Sequence, residues 1–157
     1  MSHQPSQPVG GNQQQIVAPT GGLCYEWMSD VMFVKLTGAQ TGGLFTLVQD
    51  NLKPGFNLGL HIHKAHAETF YILAGDVEFV VGSETIRGEP GMVVHVPAGV
   101  PHSLRSEQPA KMLMIYCPAG FELALEEMKR ITEEQGKDPE FMRKLNERFD
   151  IFFLDQK

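Results

Sequence analysis

The sequence predicts an all-β barrel or sandwich that ends in a short helical segment. Sixteen glycines and ten prolines in 157 residues, about one position in six, suit short strands and tight turns better than a helical bundle. Between residues 16 and 117, short apolar or alternating runs recur, each bounded by turn-forming residues. After Pro118-Ala119-Gly120 the apolar spacing changes from a period of two to that of a helix.

In chain order, residues 1–15 are rich in Gln, Pro, Gly and Ser and hold almost nothing that could enter a core, so a mobile tail is expected. The strand runs are Val31–Leu36, Leu44–Val48, Asn57–Ile62, Glu68–Leu73, Val77–Val81, Met92–Val96, His102–Arg105 and Lys111–Cys117. Thr41-Gly42-Gly43, Lys53-Pro54-Gly55, Gly75-Asp76, Glu89-Pro90-Gly91 and Pro97-Ala98-Gly99 supply turns between them. These strands make one barrel domain over residues 16–120. In residues 121–157, Phe121, Leu125, Met128 and Ile131 recur at helical spacing, and Glu126 stands four residues before Arg130. Asp138 and Pro139 supply an N-cap and a first-turn proline, followed by Phe141, Leu145 and Phe149 at i, i+4 and i+8. Two amphipathic helices packed on the barrel are expected.

Composition excludes several classes of function. The net charge of −6, from 13 basic and 19 acidic residues, argues against an electrostatic nucleic-acid footprint. No run of 18 apolar residues offers a membrane span, and the start of the chain lacks the basic and apolar regions of a signal peptide. Cys24 and Cys117 stand in no metal-binding or redox spacing and are expected to be buried thiols. A cytoplasmic protein of one domain is expected, with no nucleic-acid or membrane partner.

The histidines carry the chemistry. Three of six fall in HIHKAHAETF: His61, His63 and His66. One residue separates His61 from His63, so in a strand both rings share a face. A turn after them would bring Glu68 back toward that face. Two imidazoles and a carboxylate at one point suit a divalent first-row transition metal such as Fe, Mn, Ni, Co, Cu or Zn, with positions left open. The plainer reading of the pair is two surface or hydrogen-bonded core histidines. His66, in the turn, is open to three readings (ligand, outer donor or exposed residue), of which exposure is preferred. His95 is expected to face away from the site, and His3 belongs to the tail.

The surrounding pattern is more specific. Gly55, five residues, His61-Ile62-His63, four residues, Glu68, six residues and Gly75 match the first cupin motif. Gly91, five residues, Pro97-Ala98-Gly99, two residues and His102 match the second through its histidine; Ser106 stands where that motif has asparagine. Over about Leu44–Cys117 the chain resembles a cupin. The resemblance implies a double-stranded β-helix, or jelly-roll barrel, and metal ligands at His61, His63, Glu68 and His102. Within the cupins it is most similar to small proteins of the quercetin dioxygenase type, a likeness carried by Glu68–Gly75, Val96–His102 and Pro118–Glu122.

Strand parity then sketches a pocket. Phe70 and Ile72 share the face of Glu68, and Leu104 that of His102. Leu58 and Leu60 are expected to approach His61 from the strand before it; Met112, Met114 and Tyr116 form a third row, and Phe33 and Phe45 are further candidates. Of these, Phe45, Leu58, Phe70, Leu104, Met114 and Tyr116 form the expected substrate pocket, although a barrel needs such side chains simply to fill itself. Arg105 should point outward and Arg87 should sit in a turn. Without an interior cation, oxalate chemistry is disfavoured. The expected activity is a metal-dependent dioxygenase acting on an aromatic or enol/hydroxy-ketone small molecule, with Glu68 as general base. The alternatives are a ligand-binding or sensing cupin without turnover, and a metal-dependent isomerase. Exposed strand edges make a homodimer the expected assembly, through Leu23–Trp27 or the terminal helices, with Trp27 in the core or at the interface.

Overall fold

The computed structural model describes residues 14–154. The expected tail therefore lies, for residues 1–13 and with them His3, outside the described residues; Gln15 accepts a hydrogen bond from Gln40 Nε2 at 3.0 Å.

The chain runs β1 (Leu23–Glu26), β2 (Asp30–Leu36), α1 (Gly38–Thr41), β3 (Thr46–Leu52), β4 (Phe56–Ile62), β5 (Ala67–Ala74), β6 (Val77–Val81), β7 (Glu84–Gly88), β8 (Val93–Val96), β9 (His102–Ser106) and β10 (Ala110–Cys117). Helices α2 (Phe121–Met128), α3 (Glu133–Lys137) and α4 (Pro139–Arg148) and the two-residue β11 (Phe152–Phe153) complete it. Two antiparallel sheets result, ordered β1-β2-β3-β10-β5-β8 and β11-β4-β9-β6-β7. This is the jelly-roll arrangement that the short alternating runs require, since each sheet has one apolar face to bury against the other.

The inward rows follow parity. On β3 the buried residues are Thr46, Val48, Asp50 and Leu52; on β5, Glu68, Phe70 and Ile72; on β10, Ala110, Met112, Met114 and Tyr116. Val77 and Phe79 of β6 and Leu104 of β9 fill the other sheet's inner face. Gly75 shows why the turn after β5 takes glycine: its φ is 72°, and a Cβ there would lie 2.5 Å from the Pro109 carbonyl oxygen.

Four expectations need correction. Cys24 and Cys117 are exposed, not buried, because Tyr25 and Tyr116 occupy the inward positions beside them. Arg87 lies on strand β7, where it pairs with Asp76, and not in a turn. The helical segment has three helices instead of two. The first stops at Met128 and Thr132 opens a new capping box, so Ile131 falls between helices. Leu58 and Leu60 belong to the same strand as His61, and a register shift against β9 between Leu58 and His61 rephases that strand. This bulge lets Leu58 and His61, three residues apart, both turn toward the cavity.

The C-terminal segment closes against the barrel. Ala124 and Leu125 of α2 and Leu145 of α4 are buried, and Leu125 joins the main core. Buried Glu122 accepts hydrogen bonds from Gly38 N at 2.6 Å and from the Thr46 hydroxyl, tying α2 to α1 and β3. No helix among the described residues is long and apolar enough to cross a membrane.

Candidate metal centre and its cavity

His61 near the end of β4, His63 just beyond it, Glu68 on β5 and His102 at the start of β9 converge inside the barrel. One ligand atom from each lies within 4.8 Å of the others, and the four residues are between 0 and 4% exposed. The rings are oriented by backbone carbonyls. His61 Nδ1 donates to Gly59 O at 2.8 Å, His63 Nδ1 to Asp150 O at 2.7 Å, and His102 Nδ1 to Val100 O at 3.1 Å. A carbonyl can only accept, so each Nδ1 carries a proton and each neutral ring turns its Nε2 lone pair elsewhere.

For two rings that direction is Glu68. Its Oε2 lies 3.0 Å from His63 Nε2 and 2.8 Å from His102 Nε2. Lone pairs facing a carboxylate at these distances repel unless a positive charge sits among them. Without a metal that charge is a proton. Burial pushes the Glu68 carboxyl up, but hydrogen bonds from His102 and His63 outweigh it and hold the group down to about 2. His63 is lowered by burial yet raised overall by Glu68, while burial and the nearby His102 push His61 down to about 4. Three oriented imidazole nitrogens and one anionic oxygen in a dry pocket fit a divalent transition ion. A group of two protons would satisfy the same atoms less completely, since His61 resists protonation.

The site opens on a cavity of about 240 Å³. Of the residues assigned to a pocket from strand parity, Leu58, Phe70, Leu104 and Met114 line it, alongside His61, His63 and Glu68. Two expected residues do not. Phe45 lies outside because Thr46 takes the inward position at the start of β3 and leaves Phe45 half-buried on the other side. Tyr116 stands behind the site: its ring stacks on His66 at 4.5 Å and its hydroxyl lies 3.3 Å from His63 Nδ1. Trp27 lines the cavity, as do Phe121, Leu125 and Met128 of α2. Among the described residues no lysine or arginine does, and Arg105 points outward to Glu78 at 2.7 Å. His95 faces away, on Thr69.

His66 is a correction. It is half-buried, and its Nδ1 lies 2.6 Å from Asp150 Oδ2. Asp150 also accepts from the backbone N–H of Lys64, Ala65 and His66 at 2.9, 2.9 and 3.1 Å. Burial raises its carboxyl, and these bonds bring it below the ordinary value. Asp150 thus holds the loop between the two halves of the site with its side chain, and His63 with its carbonyl. It is the one non-glycine residue with positive φ, 62°, among those described. Sequence reasoning passed it over because it lies 87 residues from His63 and carries no local signal. Asp30 and Asp50 were also missed, although Asp50 shares the parity of Val48 and could have been found by extending that strand run.

Residues 49–116 match the Cupin domain family. The match, the fold and the motif spacing support membership of the cupin superfamily. Quercetin 2,3-dioxygenase of Bacillus subtilis (strain 168) is 35% identical to this cupin over 83 residues, which are 52% of this chain and 25% of that protein. The chain therefore spans about a quarter of the length of that curated relative. Among solved structures, KdgF from Halomonas sp. superposes with a TM-score of 0.62 over 69% of this chain and 99% of its own, at 14% identity, which speaks for the fold alone. Ectoine synthase from P. lautus is 26% identical, with a TM-score of 0.56 over 66% of this chain and 76% of its own. Structural neighbours of this cupin thus include enzymes.

Proposed function

We propose that this cupin is a metal-dependent dioxygenase that cleaves a compact aromatic enol or hydroxy-ketone. The observation that carries the reading is the pairing of a buried three-histidine, one-glutamate centre with an apolar cavity free of lysine and arginine among the described residues. The likeness to quercetin 2,3-dioxygenase supports the same chemistry. The cavity of about 240 Å³ is below the roughly 300–1,000 Å³ of common drug-sized ligand sites, which favours one or two rings over a larger flavonol.

His61, His63, Glu68 and His102 would hold the ion, which when bound supplies Lewis acidity and an open position for a substrate oxygen. Glu68 is placed to accept the proton of a substrate hydroxyl, leaving the electron-rich enolate that dioxygen attacks. Both oxygen atoms enter the product as the carbon skeleton breaks. Leu58, Phe70, Leu104 and Met114 position the ring and keep water from the enolate. The reading includes a cytoplasmic location and a homodimer, and light scattering tests the assembly.

Elemental analysis with an oxygen electrode tests the reading. Near one redox-active metal per chain, lost in His63→Ala, together with oxygen uptake on hydroxy-ketones supports it. Zinc at full occupancy with no oxygen uptake overturns it in favour of isomerase chemistry, and a chain that binds ligand without turnover overturns it in favour of a sensing module.

A further inference from the structure

A second buried polar cluster lines the same cavity. Asp30 on β2 and Asp50 on β3 are each 2% exposed. Register pairs Met32 with Asp50 and Asp30 with Leu52, which makes the two aspartates diagonal neighbours on the inner face. They lie within hydrogen-bonding reach of one another. Ser29 Oγ donates to Asp30 Oδ1, while Asp30 Oδ2 and Asp50 Oδ1 are buried with no donor but the proton that the pair itself can share. Burial and the facing Asp30 charge push Asp50 up to about 8, and burial pushes Asp30 up as well. The pair therefore retains a proton well above the ordinary carboxylate range and keeps acceptor lone pairs free. Lys53, the cation whose charge reaches Asp30, is engaged by the Trp27 carbonyl at 2.6 Å.

Ser29 and one shared proton leave four buried carboxylate oxygens short of donors, and a ligand that brings a further donor relieves that shortage. Among the described residues no third metal-ligating side chain joins the pair, in contrast to the histidine cluster, so a second metal site does not account for it. A neutral hydroxyl suits this apolar chamber better than a cationic head, which would have to shed its hydration shell.

The sheet register gives the span. Asp50 pairs with Met112 and Met112 with Ile72, while Thr46 pairs with Tyr116 and Tyr116 with Glu68. Glu68 is thus two strands across and four residues along from Asp50, roughly 10 Å and 13 Å between backbone positions. Met112, Met114 and Phe70 floor the space between.

We propose that Asp30 and Asp50 form a second recognition pole, which accepts a hydrogen bond from a ligand hydroxyl remote from the histidine–glutamate centre. The inference rests on the aromatic hydroxy-ketone reading above and narrows it to ligands hydroxylated at both ends.

The test titrates metal-loaded protein, without oxygen, with 3-hydroxychromone and 3,7-dihydroxychromone. These probes differ by one hydroxyl far from the hydroxy-ketone. Binding is read from Trp27, the single tryptophan and a residue of the cavity wall. The dihydroxy probe binds about tenfold tighter to the wild type. In Asp30→Asn/Asp50→Asn that advantage falls to within about twofold, because two carboxamides satisfy each other. The double variant, free of the donor-poor carboxylates, melts no lower than wild type. Equal binding of both probes by the wild type, or an undiminished preference in the folded double variant, overturns the second pole while leaving the oxygenase reading intact. Preference in this titration, with no oxygen uptake when the same probes are supplied in air, upholds the pole and removes the oxygenase. Binding of neither probe removes both.

Discussion

Two polar clusters share one apolar cavity, and the barrel treats them in opposite ways. At the histidine–glutamate end every ring is held by a backbone carbonyl and Glu68 Oε2 meets two of the three rings. At the aspartate end two buried oxygens have no donor beyond the proton the pair shares. The first cluster pulls its carboxyl down to about 2, and the second pushes Asp50 up to about 8. Burial is the largest influence on both, so burial alone does not set the direction. What differs is whether donors are built in around the carboxylate.

The largest effect that would break this contrast is at the metal centre. His63→Ala removes a ligand and a Glu68 partner together, so bound metal falls from near one per chain to near zero, together with all turnover; mass spectrometry of the purified variant decides it. Glu68→Gln comes next. It keeps three imidazoles, so the variant retains most of its metal while turnover drops by about 10²–10⁴-fold, the range for losing a general base. An unchanged kcat would remove Glu68 from the chemistry.

Asp150→Ala tests the support behind the centre. The side chain holds Lys64, Ala65 and His66 but touches no ligand atom itself. Loss of this outer support lowers metal affinity by about 10–100-fold, measured by competition with a chelator. Asp150→Asn, which keeps one acceptor oxygen, recovers part of it. If affinity does not move, the loop is held by its own turn geometry.

The smallest effect sharpens the comparison at the other pole. Asp50 titrates higher in the folded chain than the usual value near 4 for an unfolded aspartate. Its folded state is therefore most favoured below that value, and stability declines as pH rises from about 4 toward 8. Asp50→Asn removes the decline, so its melting temperature exceeds that of wild type by more at pH 8 than at pH 5. A constant difference across that range would show that Asp50 is already ionised when folded.

Much of this protein is determined by local sequence. Period-two alternation placed Phe70 and Ile72 with Glu68, and Met112 and Met114 with Tyr116, because a strand cannot turn successive side chains to one face. The spacing of His61, His63 and Glu68 brought those three together, and the resemblance to the cupin motifs added His102. Tertiary structure decided what parity and spacing do not contain. A bulge between Leu58 and His61 reset the phase of β4, so the neighbours of His61 could not be read by counting. Phe45 fell outside the cavity and Tyr116 behind it, since the pocket wall depends on where opposing elements leave space. Asp150 reached His63 and His66 across more than 80 residues, and Asp30 met Asp50 only when β2 paired with β3. Alternation is a property of each residue's own backbone and is written along the chain, whereas contacts between distant segments exist only after the sheets have closed.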